Sequence, residues 1–206
     1  MKLDCIVIQF AKYPRLGGVK TRLKPLLGDE GCYLLHQQLL KQVNANINDS
    51  GFFNVLALDQ LGEHPVVNEL AMKNCLILQE GNDLGERMKN AMHWGLKRAE
   101  KVIIVGSDCP MIKAQHLNLI TEKLNSASHA FIPAEDGGYV LIACTQVLPE
   151  IFEGIAWGTE HVMQQTRDKL QQAKQSAFYA EPLWDVDRPE DYHRLKQNFV
   201  NWPNSQ

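Results

Sequence analysis

Lys12-Tyr13-Pro14-Arg15-Leu16-Gly17-Gly18-Val19-Lys20-Thr21-Arg22-Leu23-Lys24 follows directly on the apolar run Leu3–Phe10. The junction between the two decides how this chain reads. Leu3–Phe10 has the length and composition of a buried strand. The segment after it carries Lys12, Arg15, Lys20, Arg22 and Lys24 around the Gly17-Gly18 pair, with no acidic residue among them. A cationic, glycine-containing loop leaving the first strand of an α/β protein suits phosphate, because glycine admits close backbone approach and Lys and Arg neutralise the anion. The P-loop pattern needs Gly-Lys-Ser/Thr, and Val19 stands where its second glycine belongs, before Lys20-Thr21. A kinase or ATPase of that class is therefore not expected. The alternative is a solvated surface loop.

The remainder of the chain makes this positive patch local. Its 206 residues hold 21 basic and 24 acidic side chains, a net charge of −3. That balance argues against a nucleic-acid binder, which shows a domain-wide basic face, and favours a small phosphorylated ligand. Cys5, Cys32, Cys75, Cys109 and Cys144 are odd in number and form no Cys-x-x-Cys pair. Free thiols in a reducing cytoplasm are expected, without a zinc site. Asp4 interrupts the first apolar run, so no signal peptide is read, and no apolar run is long enough to span a membrane. The seven histidines show no metal-ligand spacing. Neither a Gly-x-Ser-x-Gly elbow nor a Gly-x-Gly-x-x-Gly after the first strand is present, which leaves hydrolase and dehydrogenase readings without support.

Working outward, short β-like runs alternate with helical ones. Strands are expected at Phe52–Leu58, Cys75–Leu78, Val102–Val105, Ala130–Pro133, Tyr139–Cys144 and Phe178–Pro182. Helices are expected where Leu34, Leu35, Leu39, Val43 and Ile47 recur, along Leu84, Met88, Met92 and Leu96, and along Leu117, Ile120 and Leu124. Two more are expected from Thr159 to about Lys174 and over Pro189–Phe199. The pattern implies a single α/β domain over residues 1–206, with a mixed, mostly parallel sheet covered on both faces in a three-layer sandwich. The Glu135-Asp136-Gly137-Gly138 turn adds one antiparallel hairpin. Ligands of such folds bind beyond the carboxyl ends of the strands. The basic loop and Gly106-Ser107-Asp108-Cys109-Pro110 both fall there.

Several carboxylates then become candidates for a hard cation. Asp108, after an apolar strand, can ligate Mg²⁺ or simply cap the next helix. Asp185 and Asp187, two apart, face the same way on an extended segment. Asp187 with Glu190 also reads as a capping box for the following helix. Asp136-Gly137-Gly138 is a tight turn that could bring backbone close to a bound sugar or base. Trp157-Gly158-Thr159 opens a helix with Thr159 as its N-cap, and Trp157 offers a stacking surface or a core side chain. Leu84-Gly85-Glu86-Arg87-Met88 opens another helix, whose free N–H groups could bind an anion beside Arg87.

Taken in order, these motifs resemble a bacterial family of GT-A-fold transferases, commonly labelled glycosyltransferases, within the nucleotide-diphospho-sugar transferase superfamily. The resemblance runs through Phe10-Ala11-Lys12 with Gly18-Val19-Lys20-Thr21-Arg22-Leu23, Leu84–Met88, Gly106–Pro110, Pro133–Tyr139, Trp157–Thr159 and Asp185–Asp191, nearly the whole chain. Gly-Gly-x-x-Thr-Arg-x-x-Pro (Gly17 to Pro25) is similar to the triphosphate-holding loop of GT-A nucleotidyltransferases. Arg188 departs from the pattern, where threonine is more usual. The superfamily includes molybdenum-cofactor and phospholactate guanylyltransferases.

The resemblance implies that Lys12, Gly17, Gly18, Lys20, Thr21, Arg22 and Arg87 hold the nucleotide. It further implies that Asp108 and Asp187, with Asp185, hold Mg²⁺ or Mn²⁺, and that Lys20, Arg22 and Asp108 carry catalysis. Asp136, Gly137, Gly138, Trp157 and Thr159 would meet the second substrate. The implied function is nucleotidyl transfer from a nucleoside triphosphate to a small phosphorylated or hydroxyl acceptor. Glycosyl transfer from a nucleotide-sugar is the alternative, and a non-catalytic nucleotide sensor a third. A cytoplasmic protein without nucleic-acid or membrane partners is expected, and a homodimer is compatible with it.

Overall fold

The computed structural model describes residues 2–199; Met1 and residues 200–206 of the expected domain lie outside the described part. Seven strands form one sheet: β1 (Leu3–Ala11), β2 (Phe53–Leu58), β3 (Cys75–Leu78), β4 (Ala99–Gly106), β5 (His129–Pro133), β6 (Tyr139–Cys144) and β7 (Ala177–Tyr179). Six α-helices accompany them: α1 (Lys24–Asn48), α2 (Pro65–Ala71), α3 (Leu84–Leu96), α4 (Ala114–Lys123), α5 (Val162–Gln172) and α6 (Pro189–Asn198). Short 3-10 turns cover Thr21–Leu23 and Pro149–Phe152. The strand order is β3-β2-β1-β4-β6-β5-β7. All neighbouring pairs are parallel except those of β6, which runs antiparallel to both β4 and β5. The expected mixed, mostly parallel sheet and its one hairpin are what the chain forms.

Alternation along β1 shows why both faces must be covered. Ile6, Ile8 and Phe10 face one layer with Met88, Met92, Met163 and Leu170 of α3 and α5. Cys5 and Val7 face the other, with Val43 and Ile47 of α1 and Leu117 and Ile120 of α4. Further clusters pack α6 on α1 through Leu35, Leu39, Tyr192 and Leu195, and α2 on β2 through Leu58, Val66 and Leu70. Buried on both faces, the central strands read as continuous apolar runs. All five cysteines are free, and burial pushes the thiols of Cys5, Cys109 and Cys144 up to about 12, which keeps them inert. Among the described residues no helix is long and apolar enough to cross a membrane.

Three local expectations are corrected. Helix α5 begins at Val162 rather than Thr159: the Thr159 hydroxyl donates to the Ala156 carbonyl within a turn, and His161 is the N-cap. The Thr159 turn is held in place because Met163 N–H donates to the Gly137 carbonyl. Helix α6 is capped by Asp191, whose Oδ2 accepts from the N–H groups of Asp187 and Arg188 at 3.1 and 2.8 Å. Arg188 is its N-cap, so the carboxylate of Asp187 is not used there. Helix α2 has no counterpart among the expected helices. Its N-cap is His64, whose Nδ1 accepts from Val66 N–H, outside the usual Ser/Thr/Asp/Asn set.

Candidate functional site

The carboxyl ends of β1, β2, β3 and β4 open onto one cleft of about 680 Å³. Register explains how Asp108 reaches it. Ser107 N–H and its hydroxyl both donate to the Phe10 carbonyl, at 3.1 and 3.0 Å, which ties the end of β4 to the end of β1. Gln9, fully buried in an apolar strand, donates from Nε2 to the Ser107 hydroxyl and to the Leu40 carbonyl, while Asn44 donates to its Oε1. Every polar atom of that side chain has a partner, as burial requires. Asp108 follows this anchored serine, and its carbonyl accepts from Val186 N–H at 2.9 Å, which draws the Asp185–Asp187 segment alongside.

Lys20, expected on the nucleotide, and Asp108, expected on the cation, are bonded to each other. Lys20 Nζ lies 2.7 Å from Asp108 Oδ1 and also donates to the Val186 carbonyl. The Lys20 side chain is 3% exposed and that of Asp108 44%, so the lysine is a buried clamp and the carboxylate the open floor of the cleft. Burial opposes ionisation of Asp108, but Lys20, His36 and Lys12 prevail and hold its carboxyl below the usual range. Arg22 is paired with Asp187. Among the described residues no side chain forms an ion pair or hydrogen bond with Asp185, and burial together with Asp108 and Asp136 pushes its carboxyl up to about 7.

Lys12, Thr21, Arg22 and Arg87 line the cleft with Lys20, and Arg87 is steadied by donating from Nε to the Gly81 carbonyl. Gly17 and Gly18 do not line it. They form a turn in which Gly18 N–H donates to the Arg15 carbonyl and Gly17 adopts φ 73° beside Asp29. Lys24 pairs with that same Asp29. Opposite, Asp136, Gly138, Trp157 and Thr159 line the cleft. Gly137 forms the turn in that wall: with φ 91°, a Cβ there would overlap the Glu160 carbonyl oxygen. Trp157 packs edge-on to Tyr139 and against Gly85 at the start of α3.

The sequence reading did not select His36, Asp59 or Gln79, which also line the cleft. His36 lies among the apolar positions of α1, its Nε2 bonded to the Lys12 carbonyl at 2.9 Å, and burial holds its imidazole below its ordinary range. Asp59 and Gln79 are the first residues past β2 and β3. That position, beyond the carboxyl ends of parallel strands, was the available signal.

The donor set for a cation is all carboxylate oxygen. Among the described residues no three His, Cys, Asp or Glu side chains are arranged to hold a metal. Lys20 and Arg22 engage Asp108 and Asp187. Mg²⁺ commonly takes only one or two carboxylates and completes its shell with water and substrate phosphate. Asp108 with Asp185 fits that pattern, and the raised carboxyl of Asp185 marks a place short of positive charge.

Residues 42–159 match the model of a family described as an uncharacterized protein conserved in bacteria (DUF2064). The chain is 28% identical over 188 residues to a 2-phospho-L-lactate guanylyltransferase of Methanobrevibacter ruminantium, covering 86% of this chain and 79% of that one. It superimposes with a TM-score of 0.87, at 27% identity, on a protein of Desulfovibrio desulfuricans G20 assigned to the nucleotide-diphospho-sugar transferases, covering 97% and 89% of the two chains. A cytidylyltransferase of Leptospira borgpetersenii shares the fold at TM-score 0.57 and 16% identity, over 99% and 89%.

Proposed function

The chain belongs to the DUF2064 family, and from that premise we propose that it transfers a nucleotidyl group from a nucleoside triphosphate to a small hydroxyl or phosphate acceptor. The Methanobrevibacter relative is named as a guanylyltransferase and the Desulfovibrio protein as a nucleotide-diphospho-sugar transferase, which supports transfer chemistry on a nucleotide. The observation that carries the reading is the meeting, in one cleft, of Lys12, Lys20 and Arg22 with Asp108, Asp185 and Asp187. Such chemistry asks little covalent work of the protein and much positioning and charge neutralisation.

In this scheme an acceptor oxygen attacks the α-phosphorus in line. The new P–O bond forms as the bond to the β-bridging oxygen breaks, pyrophosphate departs, and the acceptor's proton passes to water. Lys12 and Arg22 bind the phosphates. Lys20 holds Asp108 and the Val186 backbone in register. Asp108 and Asp185, with Asp187 at the rim, are the residues that would hold Mg²⁺ or Mn²⁺. When bound, the cation supplies charge neutralisation for the α-phosphate and the leaving pyrophosphate. Asp136, Trp157 and Thr159 face the acceptor.

Glycosyl transfer is the second reading, favoured by the Desulfovibrio protein's assignment. The two part on product. Incubation of the protein and Mg²⁺ with nucleoside triphosphates and an acceptor panel should release pyrophosphate. Release of nucleoside diphosphate from nucleotide-sugars, with no pyrophosphate from any triphosphate, would replace the first reading by the second.

A further inference from the structure

We propose that Asn44, buried where α1 packs on the sheet, is a positioning residue for Asp108 and acts through Gln9 and Ser107. This rests on the nucleotide reading above, in which Asp108 meets the cation, and assigns what holds that carboxylate in place from behind. Asn44, Gln9 and Ser107 form one hydrogen-bonded arm that ends at the residue before Asp108. Of the three, Ser107 lines the cleft.

The arm has a fixed sense, because backbone carbonyls, which only accept, close both of its ends. At the cleft end the Ser107 hydroxyl donates to the Phe10 carbonyl at 3.0 Å, so its oxygen is left to accept from Gln9 Nε2 at 3.1 Å. The second hydrogen of Nε2 goes to the Leu40 carbonyl at 2.9 Å. Gln9 Oε1 therefore faces Asn44 and accepts from its Nδ2 at 2.8 Å. At the far end Asn74 Nδ2 donates to the Leu70 carbonyl at 2.7 Å and to Asn44 Oδ1 at 3.1 Å. Asn48 Nδ2 brings Asn44 Oδ1 a second hydrogen at 3.0 Å. Asn44 thus receives two hydrogens and passes one on. An amide can do this; an ionised carboxylate of the same shape cannot donate.

Gln9, Asn44 and Ser107 are all buried, so a lost partner is not replaced at no cost by water. Without the donor from Asn44, Gln9 Oε1 is stranded. Rotating the Gln9 amide rescues that contact only by turning Oε1 onto the Leu40 carbonyl and the Ser107 oxygen. The Ser107 hydroxyl must then leave the Phe10 carbonyl to donate to Gln9. The tie between the ends of β4 and β1 drops from two hydrogen bonds to the single one from Ser107 N–H. Asp108 is the next residue, so the fault reaches the floor of the cleft. Asn54 is a side branch: its Nδ2 donates to Asn48 Oδ1 at 2.9 Å, and its loss leaves every bond of the arm in place.

Calorimetric titration of the full chain with the Mg²⁺ salts of ATP, CTP, GTP and UTP first identifies the triphosphate bound most tightly, and the variants are titrated with that salt. Asn44→Asp, in mildly alkaline buffer that favours the carboxylate, still accepts from Asn48 and Asn74 and loses only the donor to Gln9. Its affinity should fall about tenfold, the low end for residues that support a cation-binding group from behind. Ser107→Ala, at the other end of the arm, should cost a similar factor. Because both break one arm, the double variant should bind within about twofold of either single, whereas independent effects would multiply to about 100-fold. Asn54→Val should lower the melting temperature and leave affinity within about twofold of the parent, which separates positioning from general loss of stability. Parental affinity in Asn44→Asp or Ser107→Ala, multiplied losses in the double variant, or an equal loss in Asn54→Val overturns the positioning role and leaves the nucleotide reading intact. Should Asn44→Asp fail to fold, Ser107→Ala against Asn54→Val decides alone. Binding of none of the four salts by the parent overturns both.

Discussion

The ion pair of Lys20 with Asp108 joins two unequally buried groups, so its two halves should respond unequally to mutation. Asp108→Ala strands an ammonium whose side chain is 3% exposed. Removing one partner of a buried pair costs about 3 kcal/mol or more, and the remaining bond to the Val186 carbonyl only softens this. Lys20→Met leaves a carboxylate whose side chain is 44% exposed and can be hydrated, and should cost less than the Asp108 variant. Urea denaturation of the two variants checks that order; an equal loss would refute the clamp. Asp108→Asn should lose nearly all turnover, and full metal-dependent activity in that variant would remove Asp108 from the site. The sequence marks both residues by type and by position after a strand. Their bond to each other was not legible, because 87 residues lie between them in the chain and only β1 pairing with β4 brings their strand ends together.

Element boundaries were readable where apolar periodicity was long and failed where a few hydrogen bonds decided. Helix α6 starts as it does because Asp191, not Asp187 with Glu190, takes the free N–H groups. Asp191→Ala should therefore cost about 1 kcal/mol, read as a lower thermal midpoint. It should also loosen Asp187 and weaken nucleotide binding, whereas Glu190→Ala should do neither. The hairpin between β5 and β6 is pinned to the loop before α5 at Gly137. Gly137→Ala meets both the left-handed backbone and the Glu160 carbonyl, and should destabilise the protein by about 2 kcal/mol or more. A variant as stable as the parent would show that this wall can shift. The alternation Glu135-Asp136-Gly137-Gly138 reveals the turn in sequence. What it packs against is invisible there, since Glu160 belongs to a separate loop.

Across the molecule, burial of neutral histidine contributes to acid sensitivity. His129 in β5 is fully buried, and burial alone pushes its imidazole down to about 4. The unfolded chain, with an ordinary imidazole near 6.5, binds more protons between pH 6.5 and 4, so stability rises with pH across that window. It is fully present above 6.5 and reduced by about 3 kcal/mol at pH 4. His129→Phe should flatten this limb in urea unfolding between pH 4 and 7; an unchanged slope would assign it to other groups. The single sheet, its hairpin and the location of the cleft followed from the chain itself. Strand runs, helix periods and a cationic loop after β1 are local patterns, and the geometry of each element is fixed by neighbours within a few residues. Tertiary structure alone decided that Lys20 neutralises Asp108, that Asp185 is left short of positive charge, and that Asp59 and Gln79 join the cleft. Those outcomes depend on strand order, which brings chain-distant strand ends within bonding reach, and on burial, which makes each unpaired charge or acceptor consequential.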